Sequence, residues 1–326
     1  MPVAEQTIPV TLDDVIAASE RIKALARKTP VMTSRLFDEA SGVTTFFKCE
    51  NLQSGGAFKI RGALNFLMSL TEAEQKCGVV AYSSGNHAQA VAMAAAHLGM
   101  KATIVMPLDA PQAKIESTRR FEPEIIFFDR FKQSREEIAG RISRETGMAV
   151  VPSYDHPWIV AGQGTAALEL MREQPDLDAI LVCLGGGGFL SGTAIAARAL
   201  HPQTKVFGVE PELANDWHLS LQAGKRVAIA VPATIADGLR TNIPGEVTFP
   251  IVQALAAGVI LVTEDEIRHT MRFLLSRMKT LTEPSGAVAA AAALHRKVPA
   301  GIRRVGVMLS GGNVDMDVLG EICAQA

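Results

Sequence analysis

An α/β fold with a mainly parallel sheet is predicted by the rhythm of this 326-residue sequence. Short runs of β-branched residues are followed by loops that contain Gly or Ser, and these loops lead into Ala-rich segments with helical periodicity. Most of the runs are apolar on both faces, as strands buried in a parallel sheet must be. Strands that alternate with helices in this way are typical of the α/β class.

The individual elements follow from the same patterns in chain order. Strands are predicted at residues 45–49, 79–82, 103–106, 124–128, 179–184, 206–209 and 304–309, and helices between them at residues 87–98, 191–200 and 285–295. A further helix is predicted to begin after Thr263, because Glu266 three residues later completes a capping box. We interpret its apolar stripe as core, and the stripe consists of Ile267, Met271, Leu274 and Met278.

The length of the chain suggests about two domains. No internal repeat or low-complexity linker marks a boundary, and the Pro-containing, turn-like stretch at residues 152–157 is the clearest break. A smaller unit of strands and helices is predicted over about residues 77–151. These patterns leave open whether that unit is an insertion.

Composition excludes several classes of function. The 32 basic and 34 acidic residues give a net charge of −2, whereas a nucleic-acid-binding protein needs a basic face. The four cysteines form no CxxC pair, so neither a zinc knuckle nor a disulfide framework is indicated. We recognise no secretory leader and no apolar stretch of about 18 residues, so we expect a soluble, cytoplasmic protein with no membrane partner.

The glycine run Gly185-Gly186-Gly187-Gly188-Phe189 lies between a predicted strand and a predicted helix. Four glycines let the backbone approach an anion closely, and the following helix offers unpaired N–H groups, so one interpretation is a phosphate-binding loop. A flexible turn is the other. The run lacks the last glycine of the GxGxxG fingerprint and the lysine of a Walker loop, so neither NAD nor ATP is indicated.

Two other loops place small polar groups after a predicted strand. The segment Ser83-Ser84-Gly85-Asn86-His87 precedes an Ala-rich helix, where hydroxyls and exposed N–H groups suit a carboxylate. A plain helix cap and a structural histidine are the ordinary alternatives. Ser310 begins the loop SGGN after the last predicted strand, and its hydroxyl either meets a ring nitrogen or caps a turn.

Lys59 lies between the turn SGGA and an apolar helical pattern, and Phe58 and Ile60 flank it. Partial burial would lower the pKa of its ammonium and free the amine for imine chemistry, whereas an isolated loop lysine is usually solvated. A phosphate loop, a carboxylate loop, a hydroxyl for a ring nitrogen and an imine-forming lysine are together what pyridoxal phosphate needs to act on an amino acid. The four loops therefore predict a pyridoxal-phosphate site.

The sequence resembles the fold-type II pyridoxal-phosphate enzymes, specifically the serine/threonine dehydratase and serine racemase family. The resemblance rests on blocks that follow one another along almost the whole chain: TLDDVIAASERI, KTPV, FKCENLQSGGAFKIRGALN, SSGNHAQAVA, IVAGQGTAALEL, GGGGFLSG, GVEPELANDW, TIADG, TEPSGA and LSGGNVD. It implies two open, mainly parallel twisted sheets flanked by helices, as in the tryptophan synthase β-like fold. It also implies a small domain at residues 53–157 (core about 77–151), inserted in a large cofactor-binding domain at residues 1–52 and 158–326, and a homodimer or homotetramer.

The family's motifs imply a role for each candidate residue. Lys59 would hold the cofactor as an imine and later move the substrate α-proton. Phe58 and Asn86 match the residues beside the cofactor ring and its phenolic oxygen, and Ser310 matches the partner of the pyridine nitrogen. The other matches are the phosphate loop (Gly185, Gly186, Gly187, Gly188 and Phe189) and the loop for the substrate carboxylate (Ser83, Ser84, Gly85, Asn86 and His87).

The activity implied by the resemblance is α,β-elimination. The enzyme would be a β-hydroxy-amino-acid ammonia-lyase that converts L-threonine, L-serine or a bulkier analogue such as phenylserine to the 2-oxo acid and ammonia. An amino-acid racemase is the first alternative, because Ser84 matches the racemases' second base. A non-catalytic protein that binds a phosphate ligand is an alternative of another class.

Three positions distinguish this chain within the family. Tyr154 resembles the threonine dehydratases, because the racemases carry Asn there. Phe121 and Ser54 replace polar residues with which animal serine racemase binds nucleotide, so activation by ATP is not expected.

A divalent cation is also implied by the resemblance. The block GVEPELANDW is similar to the cation site of the racemase-like branch, with Glu210, the carbonyl oxygen of Ala214 and Asp216 as ligands. Such hard oxygen ligands suit Mg²⁺ or Ca²⁺. The alternative is a solvated acidic turn.

Overall fold

The computed structural model describes residues 8–110 and 112–324, and its two mainly parallel sheets with flanking helices confirm the predicted α/β fold. The strands are β1 (Val31–Met32), β2 (Thr44–Cys49), β3 (Val79–Tyr82), β4 (Ala102–Pro107), β5 (Glu124–Phe128), β6 (Ala149–Val150), β7 (Ala179–Cys183), β8 (Lys205–Pro211), β9 (Gly258–Val262) and β10 (Arg304–Leu309). The helices are α1 (Leu12–Ile22), α2 (Arg35–Ser41), α3 (Lys59–Leu67), α4 (Glu72–Cys77), α5 (Asn86–Leu98), α6 (Gln112–Arg119), α7 (Arg135–Thr146), α8 (Pro157–Glu173), α9 (Gly188–Leu200), α10 (Asp216–Ala223), α11 (Thr248–Leu255), α12 (Glu264–Met278), α13 (Pro284–Leu294) and α14 (Met316–Ala324).

The larger sheet has the strand order β1-β2-β10-β7-β8-β9, and only β1 runs antiparallel to its neighbour. Helix α13 is buried along its whole length, because its sequence PSGAVAAAAAL presents small side chains in every direction. Such small side chains let the helix lie close to the sheet. Because β7 and β10 are paired in parallel, their carboxyl ends lie beside each other above this closely packed core.

The smaller sheet has the order β5-β4-β3-β6, and all its pairs are parallel. Its strands lie between β2 and β7 in the sequence. Helix α5, which is rich in Ala, packs in the core on this sheet together with α3. The loop between β3 and α5, which contains residues 83–87, thus emerges at the carboxyl end of a buried parallel strand.

The predicted strands all lie within or nearly within observed ones, and the capping box of α12 is present. Three strands were not predicted. β1 and β6 have two residues each, which is too short to show a pattern, and β9 is a half-buried edge strand. Helix α9 begins at Gly188 rather than at the predicted Ser191, because the end of the glycine run already forms helical hydrogen bonds.

The longest helix of the described residues, α8, has 17 residues, and no helix of this part of the chain combines the length and apolarity needed to cross a bilayer.

Candidate active site

Lys59 is the first residue of α3, and its Nζ atom donates a hydrogen bond to the carbonyl oxygen of Ser153 at 2.8 Å. The residue as a whole is partly exposed, but its terminal amine is enclosed. This burial lowers the pKa of the amine to about 8, although the nearby Cys183 and Glu283 oppose the shift. An amine with this pKa is available as a nucleophile near neutral pH.

Ser310 follows β10, and its main chain is hydrogen-bonded to the segment that carries Lys59. The carbonyl oxygen of Ser310 accepts a hydrogen bond from the backbone nitrogen of Phe58 at 3.0 Å, and Ala57 forms an isolated bridge with Gly311. The Ser310 side chain is buried, and its hydroxyl contacts the carbonyl oxygen of Ser285 at 3.4 Å. Two of the four loops singled out in the sequence are therefore in contact.

The glycine loop, residues 185–188, connects β7 to α9 with Gly187 in the left-handed conformation (φ +93°). A Cβ at Gly186 would lie 2.1 Å from the ring of Tyr154, so no side chain fits there. The hydroxyl of Thr248 donates to the carbonyl oxygen of Gly186 at 2.8 Å. Phe189 then stacks on Phe58, with ring centroids 4.1 Å apart. The loop is thus held in place at a helix N-terminus that suits an anion, and the helix packs through Phe189 on Phe58, the residue before Lys59.

In the carboxylate loop, residues 83–87, the serine side chains are partly exposed, whereas the histidine side chain is buried. Gly85 donates its backbone N–H to the hydroxyl of Ser83 at 3.2 Å, and Ser84 is partly exposed. His87 is buried, and its Nε2 atom lies 3.0 Å from the carbonyl oxygen of Val151. Burial, and then the charge of Lys59, lower the pKa of this imidazole to about 3. The His87 ring is therefore a neutral donor within the fold, and its main chain is the part that remains for a ligand.

Asn86 is oriented by two partners from the other end of the sequence. Its Nδ2 atom donates to Oε1 of Glu283 at 2.6 Å, and its Oδ1 atom accepts from Nδ2 of Asn313 at 2.8 Å. Burial, and then the charge of Asp237, raise the pKa of Glu283 to about 8. Since Glu283 uses one N–H of the Asn86 amide, the second N–H is left for a ligand. Sequence reasoning assigned no role to Glu283, although it lies in the TEPSGA block.

The segment at residues 151–156 overlaps the predicted break at residues 152–157, and it contacts three parts of the site. The carbonyl groups of Val151 and Ser153 bind His87 and Lys59, and the ring of Tyr154 covers Gly186. Asp155 caps α11 through three backbone N–H groups. Periodicity and motif spacing contain no signal for these contacts, because each joins residues far apart in the chain.

The three proposed cation ligands lie together behind the glycine loop. Glu210 is in β8, Ala214 ends a short 3-10 helix (Glu212–Ala214), and Asp216 begins α10. Both carboxylates are buried, and neither oxygen of Asp216 has a hydrogen-bond partner among the described residues. Burial raises the pKa of Asp216 to about 7, and burial together with the charge of Asp216 raises that of Glu210.

Two buried acids, one of which (Asp216) has no hydrogen-bond partner for either oxygen, fit a hard divalent cation better than a solvated turn. The described residues contain no cluster of three or more His, Cys, Asp or Glu side chains suited to a metal ion. The proposed set differs from such clusters, because a main-chain carbonyl is one of its three ligands.

The arrangement of an enclosed amine, an anion loop at a helix N-terminus and a buried hydroxyl suits an enzyme that binds a phosphate-bearing aldehyde cofactor. The family model described as "Pyridoxal-phosphate dependent enzyme" matches residues 22–311. The chain therefore belongs to the family of pyridoxal-phosphate-dependent enzymes.

Individual relatives place it in one branch of that family. Serine racemase from Schizosaccharomyces pombe is 48% identical over 97% of this chain and 98% of its own length. L-threo-3-hydroxyaspartate ammonia-lyase from Pseudomonas sp is 50% identical over 93% of this chain and 95% of its own length. The structure of maize serine racemase superposes with a TM-score of 0.93 at 39% identity, over 97% of both chains. The chain is thus a member of the fold-type II serine/threonine dehydratase and serine racemase family, as the sequence predicted.

Proposed function

We propose that this protein is an ammonia-lyase for β-hydroxy amino acids, which converts L-threonine, L-serine or a bulkier L-3-hydroxy analogue to the 2-oxo acid and ammonia. The observation that supports this most directly is the position of the Lys59 amine. Its pKa is about 8, and its charge acts both on Cys183, at the end of the strand before the glycine loop, and on His87 of the carboxylate loop. The similarity to an L-threo-3-hydroxyaspartate ammonia-lyase supports the same class of reaction.

Each loop has a separate task in this proposal. Pyridoxal phosphate, when bound, supplies a conjugated ring that stabilises negative charge at the substrate α-carbon. The backbone N–H groups at residues 185–188 would bind its phosphate, Ser310 its pyridine nitrogen, and the free N–H of Asn86 its phenolic oxygen. Residues 83–87 would bind the substrate carboxylate. Lys59, as a free amine, would then remove the α-proton.

An amino-acid racemase is the alternative supported by a specific observation. Ser84 is partly exposed in the carboxylate loop and matches the racemases' second base, and serine racemase is among the relatives. Racemisation requires a proton donor on the face opposite Lys59, whereas elimination requires departure of the β-hydroxyl. A non-catalytic phosphate-binding protein, the alternative of another class, is disfavoured, because it does not require the low pKa of Lys59 and because the chain belongs to a family of enzymes.

The test is a product assay with the purified holoenzyme. L- and D-serine, both threonine diastereomers, phenylserine and L-threo-3-hydroxyaspartate are supplied singly, and oxo acid and the opposite enantiomer are both measured. We expect oxo acid from at least one L-substrate and an absorbance band near ~410–430 nm from the lysine-bound cofactor. Lys59→Ala should lose both, while the matched substitution Lys28→Ala, at an exposed lysine, should keep both. Near-normal turnover in Lys59→Ala would overturn the assignment.

We further propose that Mg²⁺ or Ca²⁺ binds between Glu210, the carbonyl oxygen of Ala214 and Asp216. The support is the pair of unpartnered Asp216 oxygens in a buried, acidic environment. A cation would neutralise two carboxylates whose burial otherwise disfavours their charge.

We also propose the domain limits and assembly that the family resemblance implies. The large domain comprises residues 1–52 and 158–326, and the small domain comprises residues 53–157; residues 1–7, 111 and 325–326 lie outside the described residues. The distribution of strands between the two sheets supports this division. A homodimer or homotetramer is consistent with the exposure of Leu52 and Leu281, which are 47% and 40% exposed and line one groove together with Met32. The four free cysteines are consistent with a reducing, cytoplasmic location.

A further inference from the structure

Trp217 follows directly after Asp216, and its main chain is tied to the proposed cation site. Its backbone nitrogen donates to Oε1 of Glu210 at 3.1 Å, and the next residue, His218, donates to Oε2 of Glu210 at 3.0 Å. The Glu210 carboxylate thereby caps the first turn of α10, where an acidic group is favourable. The orientation of that turn depends on the position of Glu210.

The side chain of Trp217 is tied to the glycine loop at two points. Its indole Nε1 donates a hydrogen bond to the carbonyl oxygen of Gly185. Its ring lies so close to Gly187 that a Cβ there would be 2.4 Å from Cζ2 and 2.8 Å from Cη2. The ring is fully buried and also packs against Phe249, at 5.9 Å between centroids. Because packed interiors transmit small displacements, a shift of the indole would move Gly185 and Gly187 with it.

The same residue therefore contacts the loop proposed for the cofactor phosphate and the carboxylate proposed for the cation. Without a cation, the carboxyl groups of Glu210 and Asp216 are both buried, and neither oxygen of Asp216 has a hydrogen-bond partner to fix its position. A divalent ion would draw both carboxylates toward one point and fix the start of α10. Through its contacts with Gly185 and Gly187, the indole would then restrain the glycine loop as well.

We propose that Trp217 is a positioning residue that couples cation binding at Glu210 and Asp216 to the affinity of the glycine loop for the cofactor phosphate. The inference rests on the proposed cation site and on the proposed phosphate loop. It goes beyond them because it makes the two sites interdependent. Linkage then requires the effect to be reciprocal: the cofactor must tighten cation binding by the same factor.

The test measures the dissociation constant of pyridoxal phosphate for the apoenzyme, with Mg²⁺ and after chelation with EDTA. We expect Mg²⁺ to tighten cofactor binding about tenfold, within the range of roughly 5–150-fold that is typical of coupled sites. Trp217→Phe keeps an aromatic ring but loses the N–H donor, and it should reduce this ratio to about twofold or less. Trp158→Phe, at the other tryptophan, which is 39% exposed, should keep the ratio of the unmodified protein.

Two further variants separate coupling from general damage. Asp216→Asn should abolish the Mg²⁺ effect, which excludes direct binding of Mg²⁺ to the free cofactor. Thr248→Val removes the other side-chain hydrogen bond to the loop and should weaken cofactor binding with and without Mg²⁺ alike. A merely structural role for Trp217 would give that same uniform weakening.

The reciprocal measurement needs no substitution at Trp217. The Mg²⁺ concentration that half-saturates the rise in Tm should be about tenfold lower for the holoenzyme than for the apoenzyme. The proposal is overturned if Trp217→Phe keeps the full ratio, if Mg²⁺ binds without changing cofactor affinity, or if Mg²⁺ raises the Tm of neither form. Each of these results leaves oxo-acid formation and the ~410–430 nm band untouched, so failure here is distinct from failure of the proposed lyase activity.

Discussion

The backbone nitrogen of Thr248 donates to Oδ1 of Asp155 at 3.1 Å, and the hydroxyl of the same threonine donates to the carbonyl oxygen of Gly186 at 2.8 Å. Asp155 also accepts the backbone N–H groups of Glu246 and Val247. One carboxylate therefore caps α11 and, through Thr248, supports the glycine loop.

We predict that Asp155→Ala lowers the free energy of unfolding by about 1–2 kcal/mol, as loss of a helix cap does, and also weakens cofactor binding. Asp178→Ala is the matched control, because Asp178 likewise accepts two backbone N–H groups, from Arg303 and Arg304, but lies away from the site. Chemical denaturation and cofactor titration of both variants check the prediction. Equal cofactor affinity in the two variants would contradict it.

The buried ion cluster around Arg61 of α3 is predicted to make a large contribution to stability. Arg61 is 1% exposed, and its guanidinium donates two hydrogen bonds to each of Glu50 and Glu169, at 2.7–2.9 Å. Lys48 forms a further ion pair with Glu169 at 2.6 Å. Removing one partner leaves buried charges uncompensated, so Arg61→Met should cost about 3–5 kcal/mol. Arg35→Ala breaks an exposed pair with Glu39 and should cost less than about 1 kcal/mol. A loss below about 1 kcal/mol in Arg61→Met, measured by denaturant unfolding, would disprove the idea.

The fold was largely predictable because its strands are apolar on both faces and its helices carry clear caps and small-residue patterns. The candidate loops were predictable only as a set, because each loop alone has an ordinary alternative such as a turn, a helix cap or a solvated lysine, whereas the four together match the needs of one cofactor. The contacts that hold those loops were not. Glu283 binds Asn86 across 197 positions, and Trp217 binds Gly185 across 32. The periodicity of the sequence does not predict such pairs, since each depends on how two distant segments pack.

The pKa of Lys59 gives a prediction for the pH dependence of cofactor uptake. Imine formation requires the neutral amine, and an ordinary lysine with a pKa near about 10.4 is almost fully protonated at pH 8. Because burial lowers the pKa of Lys59 to about 8, the rate should rise with pH up to about 8 and level off above it. Stopped-flow absorbance of the apoenzyme with pyridoxal phosphate measures this between about pH 7 and about pH 10, a range that begins below the pKa of Lys59 and ends just below that of an ordinary lysine. A rate that still climbs tenfold per unit above pH 9 (more than about one unit above the expected midpoint) would show a solvated amine instead.

Chelation provides the prediction for the cation. A ligand that binds only the folded protein adds about 2.7 kcal/mol at a hundredfold excess over its Kd, so EDTA should lower the Tm and Mg²⁺ or Ca²⁺ should restore it. Asp216→Asn should make the Tm insensitive to both. Glu212→Gln is the control, because Glu212 is an exposed acid of the same turn. Thermal melts that do not respond to EDTA in the unmodified protein would leave residues 210–216 as an acidic turn without an ion.

Ser84 distinguishes the dehydratase from the racemase. Racemisation needs a proton donor opposite Lys59, and Ser84 is the candidate by motif position, although the acidity of a free hydroxyl is low. Elimination needs Lys59 and departure of the hydroxyl, so Ser84 would then only help to bind the carboxylate. We predict that Ser84→Ala reduces racemisation by about 100-fold or more, as loss of a general acid does, while elimination from the L-substrate survives in part.

Both products must be measured from one enantiomer, because the ratio rather than either rate is the diagnostic quantity. Ser83→Ala is the matched control, since the Ser83 hydroxyl accepts the N–H of Gly85 and supports the loop itself. It should slow both reactions together, because a distorted carboxylate loop misplaces the substrate for either outcome. If elimination disappears along with racemisation in Ser84→Ala, the hydroxyl takes part in dehydration. If the D-enantiomer is the main product of the unmodified enzyme, the protein is a racemase in which elimination is the side reaction.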